Sequence, residues 1–289
     1  MRALINVRIM KRLFAALAVA AVALDLAAGF PGTDLILPAA GRVQGAGGSQ
    51  FYTTLWVTNA SATESADATI EFLRAGQGNL TPPRVSIGLA PGQTRTFENA
   101  TETLFGISGV LGGLRVRSSK PVLVASRIYN QNDGQTVAGS TGLFYAGVPA
   151  DFAIGNGQSG ALQGVRQDVD FRYNAFIVEA SGSSVRVRLD VRDGSGSGIA
   201  ASILDLQPFE QRLVPLSSLF AANVSDGVLA ATVIGGDGRV IVCGSLIANT
   251  SQDASGFEMA FRPELLGNAV PGPQARLGGN DVAAVAFDR

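Results

Sequence analysis

One stretch of this chain is used twice. Residues 122–130 read VLVASRIYN and residues 241–249 read IVCGSLIAN, at an offset of 119. Both are apolar runs that end in Ser-x-Ile-x-Asn, the pattern of a buried strand running out into a turn. Other segments recur in the same order. Residues 51–57 (FYTTLWV) answer to 171–177 (FRYNAFI), Leu89-Ala90-Pro91 to Leu206-Gln207-Pro208, Leu104-Phe105 to Leu219-Phe220, and 141–149 to 255–263. The offsets drift only between 114 and 120, so changes of length fall in loops. A chain built this way is expected to fold as two copies of one unit, over 30–149 and 150–263, with 264–289 left as a tail.

Each copy reads as short strands separated by turns. Val185, Val187, Leu189 and Val191 alternate with Arg186, Arg188, Asp190 and Arg192, the pattern of a half-buried antiparallel strand. About seven such strands per copy, with a turn signal roughly every ten residues, predict an all-β chain of two tandem antiparallel β-sandwiches. Thirty-six glycines and only 16% charged residues fit many turns and few amphipathic helices. Asp34–Ala39 reads as a short strand ended by Pro38, 41–49 as a Gly-rich loop, and 114–117 and 122–129 as two separate strands.

The first 29 residues read as a secretory signal peptide. Arg8, Lys11 and Arg12 precede the apolar run Leu13–Leu24, and small residues follow at Ala27-Ala28-Gly29. Met10 would serve as a start equally well, because the signal is complete from there. Its removal leaves a mildly acidic remainder with no apolar stretch long enough to span a membrane. The expected location is therefore extracellular or periplasmic, at the cell surface.

Composition excludes several chemistries. A formal charge of −1 offers no basic footprint for nucleic acid. Histidine is absent, which removes the usual general base of a nucleophilic triad and the commonest metal ligand. Cys243 is the only cysteine, so no intrachain disulfide forms; it stands where the first copy has Val124 and reads as a small buried hydrophobe. Glu71, Asp190 and Glu258 have no recognisable acid–base context. No enzyme, cofactor or metal site is expected. The Asp-Gly pairs at 133, 193, 226 and 237 lack the spacing of a calcium loop and read as turns. The Asn-x-Ser/Thr triplets at Asn59, Asn99, Asn223 and Asn249 also read as turn usage.

A strand ending in Val57-Thr58-Asn59-Ala60, a polar gap, a strand over 68–73 and then Leu89-Ala90-Pro91-Gly92-Gln93-Thr94 resemble bacterial extracellular Ig-like modules of the adhesion-related, CARDB-like type. The likeness covers some 40 residues of the first copy and fades in the second, where Phe209 replaces Gly92. It implies Ig-like sandwich modules outside the cell and transfers no functional residue.

The function expected is that of a secreted, non-catalytic two-module protein with a structural or adhesion role, its partner a cell-envelope protein or glycan. The alternative is a carbohydrate-binding module. Its ligand face would combine Tyr52 and Trp56, which share one side of a strand, with the stripe of Arg186, Arg188 and Arg192. The plainer reading of the stripe is a solvated sheet face, and that of the aromatics is packing against the neighbouring copy. Arg127 and Arg172 differ, because they sit in apolar strands. Each is expected to be a structural clamp on a carboxylate or carbonyl partner.

Overall fold

The computed structural model describes residues 30–259, apart from 132–135 and 222. The expected signal peptide, the tail over 264–289 and the Asn132-Asp133-Gly134 turn lie outside or across those bounds. The described chain is nearly all β and antiparallel, as the alternation predicts.

The first half contains β1 (Gly32–Gln44), β2 (Gln50–Asn59), β3 (Ala66–Arg74), β4 (Arg84–Leu89), β5 (Thr94–Phe97), the short helix α1 (Ala100–Phe105), β6 (Val110–Asn130) and β7 (Thr141–Ala146). The two-residue β8 (Val148–Pro149) pairs with β1. The second half contains β9 (Ser159–Gln167), β10 (Phe171–Glu179), β11 (Val185–Arg192), β12 (Gly198–Leu206), β13 (Gln211–Pro215), β14 (Val224–Gly236), β15 (Val240–Ala248) and β16 (Ala254–Glu258).

Strand order repeats between the halves. The second has two four-stranded sheets, β12-β11-β14-β9 and β13-β10-β15-β16. In the first half β4, β3 and β1 gather on the N-terminal part of β6, and β5, β2 and β7 on or beside its C-terminal part. The difference lies in β6. Where two strands are expected, one strand of 21 residues runs unbroken through a single eight-stranded sheet, exchanging β3 and β1 for β2 and β7 as partners between Ser118 and Val122. The second half divides the same path at 237–239, where Gly238 comes too close to Ser183 and Val185 for any side chain.

Two loop readings also change. β1 passes through Pro38 rather than ending there, and it continues to Gln44, leaving 45–49 as the loop. Its register with β6 shifts between Leu37 and Ala40. An irregularity of this kind tolerates a residue with no N–H to give. Asp226-Gly227 lies inside β14 as a bulge, with Asp226 at φ 57° and a register shift on either side of Gly227.

Along β11 the alternating valines and Leu189 are buried and the arginines point outward. The join between halves also lies back on the fold. Ile154 is buried and bridges to Val240, Phe152 meets the ring of Phe30 edge-on at 5.0 Å, and β9 pairs with β14 as the first strand of the second half. Buried side chains from Leu35 to Met259 form a single cluster that includes both halves.

Candidate ligand-binding cleft

Pairing register decides which side chains share a face, and it differs by one residue between the halves. Phe51 stands opposite Asn130, but Phe171 stands opposite Ala248, not Asn249. Leu55 faces Ser126, whereas Ser245 faces Asn174. A slip of one residue turns every side chain to the other face of a strand. Val124 therefore lies with Val57 and close to Leu35, inside the first half. Cys243 is buried too, but beside Phe176, on the face of β15 turned toward the first half. Burial pushes its thiol well above the ordinary cysteine range. The matching motif thus gave the correct burial and the wrong neighbours.

That face of the second half is where the two halves meet. The Tyr145 hydroxyl, from β7, donates to the carbonyl of Gly244 at 2.6 Å, and its ring meets Phe176 edge-on at 6.2 Å. At the far side Asn79 Nδ2 donates to the Phe209 carbonyl at 2.9 Å, and Gln211 Nε2 to the Pro38 carbonyl at 3.2 Å. The Arg115 guanidinium lies 4.5 Å from the centre of the Phe209 ring, while Asp34 holds it in a two-point ion pair. Tyr145, rather than Tyr52 or Trp56, is thus an aromatic that packs directly against the other half.

Between these two zones of contact a cleft of about 410 Å³ remains, lined by both halves. Its walls from the first half include Phe51, Leu111, Ile128 and Leu143. Its floor from the second half follows β10 and its neighbours: Arg172, Asn174 and Phe176, with Leu213 on one side and Ser245 on the other. Arg172 gives hydrogen bonds to Asn249 Oδ1 at 3.0 Å and Gln252 Oε1 at 2.6 Å. No carboxylate forms an ion pair with it among the described residues. Desolvation lowers its hold on the proton. The Ser245 hydroxyl is buried with no hydrogen-bond partner.

The residues of the expected ligand face stand elsewhere, on separate sheets. Tyr52 is half-buried on β2, stacked on Tyr129 at 5.8 Å, with the Arg42 guanidinium 5.6 Å from its ring centre. Trp56 is half-buried four residues along the same strand. On β11, Arg186 makes a two-point pair with Asp205, and Arg188 pairs with Asp190. Arg192 alone of the three makes no ion pair among the described residues; it borders a shallow depression with Arg188 and Asp190. Arg127 and Arg172 do find carbonyl-type oxygens, Arg127 on Ser140 at 2.7 Å. What sequence reasoning passed over is that Arg172 and Phe176, the counterparts of Tyr52 and Trp56, face the cleft. The signal was present in the charge of Arg172, isolated in an apolar strand. Among the described residues no three His, Cys, Asp or Glu side chains converge as a metal site would require.

Set beside known proteins, this is an all-β, sandwich-like chain with an apolar cleft between two halves. No family model matches it, and no curated protein does. Among solved structures it is similar to the crystal structure of Thermotoga maritima 1070, with 15% identity and a TM-score of 0.33, over 41% of this chain and 94% of that one. It is also similar to a glycosyl hydrolase family 2 member from Bacteroides cellulosilyticus, with 10% identity, a TM-score of 0.15 and 72% of this chain covered. A Bacteroides uniformis β-glucuronidase gives 10% identity, a TM-score of 0.16 and the same coverage. The chain spans 26% and 24% of those two proteins. Similarities of this size do not bear on its activity.

Proposed function

We propose that the protein is an exported, non-catalytic tandem β-sandwich with a structural or adhesion role at the cell surface. The observation that supports this best is the way the halves are joined. Tyr145, Asn79 and Gln211 each bond to backbone carbonyls of the opposite half, and one apolar cluster runs through both. Two modules fixed in this way present surfaces at a constant separation, as a scaffold or adhesin needs. The N-terminal cationic and apolar pattern supports export, and the absence of histidine supports a role without acid–base chemistry. An origin by internal duplication fits the recurrent motifs and the shared strand order. The glycan reading is weaker, because Arg186 and Arg188 already have carboxylate partners.

Expression of the full chain with a C-terminal tag in a bacterium tests the proposal. We expect it in the envelope or medium, with a new N-terminus near Phe30 by mass spectrometry, and retained by an envelope preparation. An unprocessed chain confined to the cytoplasm would overturn it.

A further inference from the structure

We propose that the cleft between the halves binds an amphipathic small molecule, an apolar chain with one anionic end such as a medium-chain carboxylate, its head held by Arg172, Asn174 and Ser245. The cleft volume lies within the range of small-molecule sites, which pair apolar walls with a few convergent polar groups. Here those groups are segregated. Arg172 and Asn174 follow one another on the same face of β10, and Ser245 stands directly opposite Asn174. Phe176 comes next, opposite Leu213, and the walls above are Phe51, Ile128 and Leu143. From Arg172 to Phe176 the strand advances about 13–14 Å, so one end of the cleft is polar and the other apolar.

The polar end is also short of an acceptor. A buried hydroxyl without a partner is uncommon and costs stability. A guanidinium in an apolar strand normally meets a carboxylate, and Arg172 meets only two amide oxygens. It has N–H groups left to donate, since a guanidinium carries five. A ligand carboxylate would take donors from Arg172, Asn174 and Ser245 together. A cationic head would meet Arg172 with like charge, and a neutral one would leave the guanidinium uncompensated.

Calorimetric titration of the full chain with decanoate, decanol and decyltrimethylammonium reads this directly. Decanoate is expected to bind at one site per chain, at least roughly tenfold more tightly than decanol. The cationic chain is expected not to bind. Arg172→Gln should weaken decanoate by a similar factor and leave decanol unchanged, and Leu213→Trp, which fills the apolar end, should abolish both. Absence of saturable decanoate binding would overturn the proposal. So would equal affinity for all three probes, or full affinity in a folded Leu213→Trp protein. The three-probe comparison uses the unaltered chain, so it decides the matter even if a variant fails to fold. Export and processing do not enter any of these readings.

Discussion

Phe209 occupies a place that the backbone reserves for glycine. The turn after β4 has Gly92 at φ 66°, and the matching turn after β12 has Phe209 at φ 54°. A side chain in this left-handed region is strained, by about 1–2 kcal/mol. What offsets the strain is the contact Phe209 makes: its ring lies under Arg115, its N–H goes to Glu179 and its carbonyl to Asn79 of the first half. Gly182 leaves room beneath the ring, where a Cβ would come within 2.8 Å. Both Phe209→Ala and Phe209→Gly lose the ring, but only alanine keeps the strain. The glycine variant is therefore expected to be the more stable of the two by about 1 kcal/mol in urea unfolding. Equal or reversed stabilities would show that the turn is not strained. Asp193 shows a different balance. Its carboxylate accepts first from the Ser195 hydroxyl and then from the N–H of Ser197 and of Ser195, which holds it below the usual aspartate range. A depressed pKa gives stability that is present above the unfolded value, near 4, and is lost as pH falls through the folded one. Asp193→Asn should therefore lower Tm at pH 7 and lower it less at pH 3. A difference that grows at acid pH would contradict this sign.

At the scale of elements, the ends of β2 and β10 solve one problem with opposite chemistry. Asn59, at the end of β2, donates from its amide to the carbonyls of Glu64 and Ala90 and accepts from the N–H of Ser61. It thereby ties the β2–β3 turn to the β4–β5 turn. Glu179, in the corresponding place on β10, is fully buried and accepts instead. The N–H groups of Ser181, Gly182, Phe209 and Arg239 converge on its two oxygens at 2.8–3.2 Å. One carboxylate thus gathers three turns. Glu179→Ala would leave the N–H groups of Ser181, Gly182 and Phe209 without their acceptor, while that of Arg239 keeps the Ser181 hydroxyl, at a cost of about 3 kcal/mol or more. Glu179→Asn should rescue little, because its amide nitrogen would face donors. Denaturant midpoints of the two variants check this, and a Glu179→Asn protein as stable as the parent would refute it.

For the molecule as a whole, the expectation is a single unfolding unit. The buried cluster is continuous across the halves, and their contact includes a parallel bridge between Ala75 and Gln211. Halves that shared only a tether would unfold separately. Fluorescence of Trp56 reports on the first half, because that is the chain's only tryptophan. Far-ultraviolet circular dichroism reports on both. The two urea transitions should coincide, and a second transition seen by dichroism alone would show that the halves are independent.

The sequence by itself determined the class of the fold. Period-two alternation in β11, the Pro and Gly turns, and the recurring apolar runs are local signals, and local sterics and burial enforce them. It also marked Arg172 as a charge in an apolar strand. Tertiary structure alone decided what Arg172 faces. Alternation tells which residues share a side of a strand but not which side meets a neighbour, and a one-residue difference in pairing sent Cys243 and Ser245 to the interface while Val124 went to the core. Continuity of β6 was equally invisible, because Ser118-Ser119-Lys120-Pro121 reads as a break between two strands, and only the long-range change of pairing partners there shows that one strand runs through. The cleft depends on both facts. It is lined by β1, β2, β6 and β7 of one half and by β10, β13, β15 and β16 of the other, and that contact is set by long-range packing that no local pattern records.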